Sequence, residues 1–133
     1  MIRSVEKITV PVSDQAEALR WFTEVLGFEV RMDQSMGPAR WLTVAPAGAQ
    51  GGPELILHDP RGWMSPEAAA KQLEQVGRQP GLVLGTDDCR KTCADLEAKG
   101  VKIVQPPVQR PYGVEAVIEG IYGLRLVLVE AAR

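Results

Sequence analysis

Two hydrophobic rhythms run along the chain, one of period two and one of helical spacing, and the changes between them mark its elements. In Lys7-Ile8-Thr9-Val10-Pro11-Val12 the apolar Ile8, Val10 and Val12 alternate with Lys7, Thr9 and Pro11, which predicts a half-buried strand. Asp14 then offers a helix cap, with Glu17 three residues on to complete a capping box. Ala18, Leu19, Phe22, Val25 and Leu26 recur at helical spacing, and Gly27 supplies a left-handed stop. Phe28–Met32, Arg40–Val44 and Glu54–His58 read as three further strands, with a turn at Gly37-Pro38 and a Gly- and Pro-rich loop over 45–53.

The same order then recurs. Gly81–Thr86 is strand-like, Asp87 can cap a helix whose buried face is Cys89, Thr92, Cys93 and Leu96, and Gly100 stops it. Strands follow from Val101 to Val104, at Val114–Ile118 and at Leu124–Val129. Asp14 to Gly27 spans 13 positions, and Asp87 to Gly100 again spans 13. Few residues are identical between the halves, so the repeat lies in the order of elements, β-α-β-β-β twice, and in the spacing of caps and stops. An α+β domain with two unrelated helices is the alternative. The pattern predicts one domain over 1–133, with module one at 5–58, a linker helix within 59–80 and module two at 81–130. Ser65-Pro66-Glu67 is the linker-helix start and Gly77 its end. Trp63 and Met64, just before it, are placed to cover a pocket.

Composition narrows the function. The chain has 133 residues, 45% of them apolar, and a formal net charge of −2 from 15 basic and 17 acidic residues. With no basic run, nucleic acid is not expected as the main partner. No apolar stretch reaches the roughly 18 residues of a membrane span, and the first residues lack a signal-like segment, so the expected location is the cytoplasm. Two cysteines make no disulfide framework. The single histidine, His58, excludes a zinc site of several histidines within one chain.

Val12-Ser13-Asp14, Trp21-Phe22 through Val25-Leu26-Gly27-Phe28, and Glu54-Leu55 carry a family likeness. Thr86-Asp87-Asp88, Ala98-Lys99-Gly100-Val101 and Pro111-Tyr112-Gly113 continue it. Together they resemble the vicinal oxygen chelate superfamily, the glyoxalase, bleomycin-resistance and extradiol-dioxygenase group, and within it an uncharacterised bacterial subgroup. The resemblance covers nearly the whole chain except the linker. It implies two tandem βαβββ modules forming a curved mixed sheet around a ligand cavity, in a homodimer. Metal-using members hold a divalent ion with four strand residues, commonly His or Gln, Glu, His and Glu. The corresponding positions here are Lys7, Glu54, Gly81 (with Pro80 its neighbour) and Val127. Only Glu54 is a ligand type, so no metal cofactor is expected.

The function expected from this likeness is metal-independent binding of a small organic molecule, with drug sequestration as the extreme case. Two alternatives stand beside it. One is a glyoxalase-like lyase or isomerase, or a dioxygenase-type enzyme, with a divalent metal. The other is a metal-free enzyme using Glu54 or His58 as acid or base, with Tyr112 assisting. The implied cavity is lined by Thr9, Ile56, Val83 and Val127, with Lys7 and Glu54 either anchoring a polar ligand group or forming a structural ion pair. Glu54 is either a general base, if burial favours its neutral form, or a carboxylate that a partner keeps ionised, the commoner outcome.

His58 shares a strand face with Glu54 and Ile56, but stands about 13 Å from Glu54, too far to share a proton or a metal. It is either the acid–base group or a solvated turn residue. Trp41 and Trp63 are candidates for a stacking surface, while Trp21 and Phe22 are expected to pack helix on sheet. Tyr112 either hydrogen-bonds a ligand or fixes its turn. Cys89 and Cys93, one helical turn apart, are expected in the core rather than as a redox or metal pair. Arg40 and Arg125 are solvated strand residues, or anion contacts if they face inward. Glu119-Gly120-Ile121-Tyr122-Gly123 replaces the family's Asp-Pro-x-Gly turn, leaving Ile121 and Tyr122 exposed or buried in a subunit contact.

Overall fold

A computed structural model describes residues 1–79 and 81–132; Pro80 of the linker lies outside the described residues. The elements in the first half are β1 (Lys7–Pro11), α1 (Gln15–Arg20), β2 (Phe28–Met36), β3 (Ala39–Pro46), β4 (Glu54–His58) and α2 (Pro66–Leu73). The second half has β5 (Leu82–Gly85), α3 (Cys89–Ala98), β6 (Lys102–Arg110), β7 (Gly113–Glu119) and β8 (Arg125–Ala131). The fold is α+β. Its strands form two four-stranded mixed sheets, β1-β4-β3-β2 and β5-β8-β7-β6, neither closed into a barrel. In each sheet the first strand runs parallel to the last of its module and the other pairs are antiparallel, so one β-α-β-β-β plan is laid down twice. The first compact unit is Met1–Val76, which includes α2, and the second begins at Gly77.

In the first unit the inward positions of three strands, Val10, Leu42, Val44, Leu55 and Leu57, are buried together with Val12 and with Ala18 and Phe22 of the α1 region. The Phe22 ring lies 5.1 Å from Trp21 and 5.5 Å from Phe28, so these aromatics pack helix on sheet as expected. Asp14 caps α1 by accepting from the Glu17 amide at 3.0 Å. The α-helix ends earlier than its apolar stripe, and Trp21–Val25 continues as a wider π turn. Thr23 supplies a physical reason. Its hydroxyl donates to the carbonyls of Leu19 at 2.8 Å and Arg20 at 3.3 Å, competing for acceptors the ordinary ladder uses.

In the second unit the α3 cap is Asp88, which accepts from the Lys91 amide at 3.0 Å, and not Asp87. The Thr86 hydroxyl accepts from the Asp88 amide at 3.3 Å, which turns the chain so that the second carboxylate faces the helix end. The corrected cap places Gly81 seven residues before Asp88, as Lys7 stands seven before Asp14. Cap to glycine is then 12 positions in α3 against 13 in the first helix, where the π turn absorbs the additional residue. Cys89, Cys93 and Leu96 of α3 are buried with Ala116, Ile118, Leu126 and Leu128. Burial pushes the Cys89 thiol up to about 11 and raises Cys93 as well, so both are neutral core thiols.

The edge strands β2 and β6 run further than their patterns indicate. β2 is exposed over all but its first residue and so carries little hydrophobic signal. β6 accommodates Pro106 and Pro107 because it lies at a sheet edge and its register shifts there. Before β8, Ile121 and Tyr122 are half-buried rather than exposed, and Tyr122 adopts φ 61°. Gly77 lies so close that a Cβ would meet the Tyr122 carbonyl oxygen at 2.0 Å.

Candidate functional site

Strand alternation and register place most of the candidate residues of the first unit on one sheet face, the face turned away from α1. Lys7 pairs with Glu54 at one end. In the middle row Thr9 pairs with Ile56, Ile56 with Thr43, and Thr43 with Met32. At the other end Pro11 pairs with His58, and Trp41 with Gln34. The face thus runs from an ion pair, across a middle row, to an aromatic end.

The ion pair is loose. Lys7 Nζ stands 3.9 Å from Glu54 Oε1, with both side chains 30% exposed. The aromatic end is more tightly built. Trp63 meets Trp41 edge-on at 6.2 Å between ring centroids and lies 6.5 Å from the His58 ring. Trp63 comes from the loop after β4, which is seated at two points. The Arg61 guanidinium holds the Asp59 carboxylate at 2.9 and 3.0 Å and also donates to the Ser13 carbonyl. Gly62 rests on the β2–β3 turn, where a Cβ would come within 2.8 Å of the Pro38 carbonyl oxygen.

His58 is half-buried rather than a free turn residue. Burial lowers its pKa below the ordinary 6.5, and the nearby Asp59 charge and a hydrogen bond with Gln72 of α2 oppose the shift without reversing it. Its imidazole is therefore held neutral near pH 7.

Three residues of this face or its support were not singled out from the sequence. Gln72 is one. Gln15 is another: its side-chain Nε2 donates to the Arg40 carbonyl at 3.1 Å and to the Leu57 carbonyl at 2.9 Å. These carbonyls lie just before Trp41 and His58, beyond the paired stretch of β3 and β4, so Gln15 acts as an added rung between the strands. Thr43 is the third. It is 0% exposed, and its hydroxyl has no hydrogen-bond partner. A threonine in the apolar run Trp41-Leu42-Thr43-Val44-Ala45 was the available signal.

In the second unit Val83 pairs with Val127, and Val127 with Val117, on one face of the second sheet. Val83 is 66% exposed. Tyr112 is 55% exposed; its hydroxyl donates to Glu115 at 2.8 Å, and Glu115 also pairs with Arg110 at 3.3 Å. That set of contacts ties together the β6–β7 hairpin, and the hydrogen bond to Glu115 raises the Tyr112 pKa.

The two sheets share one bonding plan. The Val12 amide donates to His58 O in the first, and the Thr86 amide to Val129 O in the second. By that correspondence the counterpart of Glu54 is Arg125, with Val127 two residues further on the same face. A Cβ at Gly81 would stand 3.3 Å from Arg125 O and 3.8 Å from Val127 Cγ2. These residues do not fit a metal ion. The first unit offers one carboxylate beside an ammonium, the second a glycine with either a guanidinium or a valine, and none of the latter supplies a lone pair for coordination. Among the described residues, no three His, Cys, Asp or Glu side chains gather as metal ligands. Among them too, no helix is long and apolar enough to cross a membrane.

The fold and the motifs meet in one class: the chain belongs to the glyoxalase/bleomycin resistance protein/dioxygenase superfamily, whose family model matches residues 4–127. An uncharacterized protein of Shewanella frigidimarina (strain NCIMB 400) is 32% identical to it over 129 residues, covering 92% of this chain and 90% of that one. Among solved structures, UcmS2 is similar with a TM-score of 0.83 and 35% identity, over 97% of this chain and 98% of its own. TnmS3, an antibiotic binding protein from Streptomyces sp. CB03234, is similar with a TM-score of 0.79 and 34% identity, over 98% of both chains.

Proposed function

We propose that the chain binds a small organic molecule, without a metal, on the face of the first sheet turned away from α1. The observation that carries this is the placing of Trp41, His58 and Trp63 at one end of the face and Lys7 with Glu54 at the other. Aromatic edges and faces hold a flat apolar frame, and an ion pair separated by 3.9 Å can exchange its partner for a polar ligand group. A ligand spanning both ends is about 13 Å long. The likeness to an antibiotic binding protein supports antibiotics as the first class to test. Thr9 and Ile56 floor the site between its ends, while Val83, Val127 and Tyr112 belong to the second unit and contribute apolar surface there. The protein acts as a homodimer in this proposal, with exposed apolar side chains such as Val30, Met32 and Val83 favouring burial against a second copy.

A thermal-shift screen of antibiotics and metabolites tests the proposal. Compounds that stabilise the wild type should lose about tenfold or more in affinity on Trp63→Ala, and lose part of their stabilisation on Lys7→Ala and Glu54→Ala. Equal stabilisation of all four proteins removes this face as the site. A second proposal, metal-free acid–base catalysis at His58, has the neutral, Gln72-bonded imidazole in its favour. Recovery of a bound compound chemically unchanged after prolonged incubation decides against it.

A further inference from the structure

Lys7 begins β1 and Glu54 begins its parallel neighbour β4, and the two are paired in the ladder. Adjacent strands lie about 4.8 Å apart, so the two side chains leave the sheet side by side. Lys7 Nζ and Glu54 Oε1 are 3.9 Å apart, beyond the roughly 2.7–3.2 Å of an N–H···O hydrogen bond. The ammonium and the carboxylate are therefore neighbours that do not hydrogen-bond each other. Each side chain is 30% exposed, so a molecule arriving from solvent can touch both.

Charge decides what such a pair accepts. A lone anion is attracted by Lys7 and repelled by Glu54, and a lone cation meets the reverse. A neutral group that accepts on one side and donates on the other is opposed by neither. In a cis-amide the oxygen and the nitrogen stand about 2.3 Å apart on one edge. Two hydrogen bonds of about 2.9 Å, each leaning outward by about 15°, carry that edge to groups 3.9 Å apart. We propose that Lys7 and Glu54 together recognise the N–H/C=O edge of a flat aromatic lactam or carboxamide. Lys7 donates to the carbonyl and Glu54 accepts from the N–H, while the ring system lies along the face towards Trp41 and Trp63. This rests on the first-sheet face being the binding site. Both hydrogen bonds involve a charged partner, which makes them stronger than their neutral equivalents.

Phenanthridinone, a flat lactam, and benzocoumarin, the lactone of the same shape with oxygen in place of the N–H, are the test probes. Tryptophan fluorescence reads the affinity of each. The wild type should bind the lactam about tenfold more tightly than the lactone. Glu54→Leu removes the acceptor, and the two should then bind within about twofold of each other. Lys7→Met removes the donor to the carbonyl, so both probes should weaken while the lactam stays ahead. Neither residue belongs to the buried core, so both variants should melt within about 4 °C of the wild type. Equal affinity of the wild type for the two probes overturns the inference, and so does a preference that survives Glu54→Leu. Unchanged affinities in Lys7→Met overturn it as well. Trp63→Ala separates this inference from the one beneath it: weakening of both probes keeps the face as the site, whichever way the lactam preference falls. If neither probe binds the wild type, the proposed ligand class falls, and the antibiotic and metabolite screen still decides the face.

Discussion

His58 shows how one side chain takes its character from what packs on it. It is the only histidine in the chain, so an NMR titration reads it without ambiguity. Burial favours the neutral imidazole in the folded state, and the unfolded chain keeps the ordinary value near 6.5. The contribution of His58 to stability is therefore fully present above about pH 6.5, and is lost as the pH falls through that value towards the lower folded pKa. The expected result is a histidine titration below 6.5, and a shallower loss of stability between about pH 7 and 5 in His58→Gln. A titration at or above 6.5 would show the ring to be solvated. Neighbouring residues illustrate what was readable in advance. That Glu54, Ile56 and His58 share a face follows from period two alone; that Trp63 and Gln72 close over His58 does not, because both come from the segment after the strand. The Lys7–Glu54 pair was one of two readings offered by the positions that the family resemblance implies. With a separation of 3.9 Å and partial exposure, it contributes about 0–1 kcal/mol.

Helix caps and strand rungs belong to the scale of the element. Asp14 and Asp88 each accept an amide hydrogen at 3.0 Å, so alanine at either position should cost about 1 kcal/mol in urea unfolding. Asp87→Ala should change stability by less than about 0.5 kcal/mol; a larger loss from Asp87 than from Asp88 would reverse the assignment of the cap. Two adjacent aspartates are indistinguishable by pattern, and the choice between them is made by the Thr86 hydroxyl. The π turn was hidden for a related reason: threonine is unremarkable in a helix until its hydroxyl is seen bonding the Leu19 and Arg20 carbonyls. Gln15 acts through its neighbours. Gln15→Leu removes the rung before Trp41 and His58, and is expected to move the His58 titration back towards 6.5 while α1 keeps its Asp14 cap. An unchanged titration in a folded variant would mean that Gln15 does not position the aromatic end.

At the scale of the whole molecule, the two βαβββ modules were already visible in the repeated order of alternation, cap and glycine. Each module forms its own mixed sheet, and the second sheet's bonding plan identifies Arg125 as the partner position of Glu54. In the first unit Glu54 stands with the Lys7 ammonium, and in the second the corresponding positions hold Gly81 and either Arg125 or Val127. Of these residues only Glu54 is a donor a divalent ion uses. Protein purified without chelator is expected to contain no near-stoichiometric nickel, zinc, iron or manganese, and added zinc or manganese should leave the melting temperature unchanged. Stoichiometric metal together with a raised melting temperature would put the metal-dependent lyase, isomerase or dioxygenase ahead of metal-independent binding. Sedimentation at two protein concentrations tests the homodimer.

The amino-acid sequence by itself determined the order of the elements and the duplicated plan, whereas the metal positions were identified only through the family resemblance. The order and the plan depend on short-range causes: the two periods, the capping side chains and the glycines with positive φ. Tertiary structure alone decided that Trp63 reaches Trp41 and His58, that Gln15 bridges two diverging strands, and that Thr43 is sealed without a partner. The reason is non-local. Strand register and the seating of the loop after β4 join residues far apart in the chain, and only that joining settles which polar atoms are paired and which are not. The single histidine was always countable; its neutral, half-buried state depends on what folds over it.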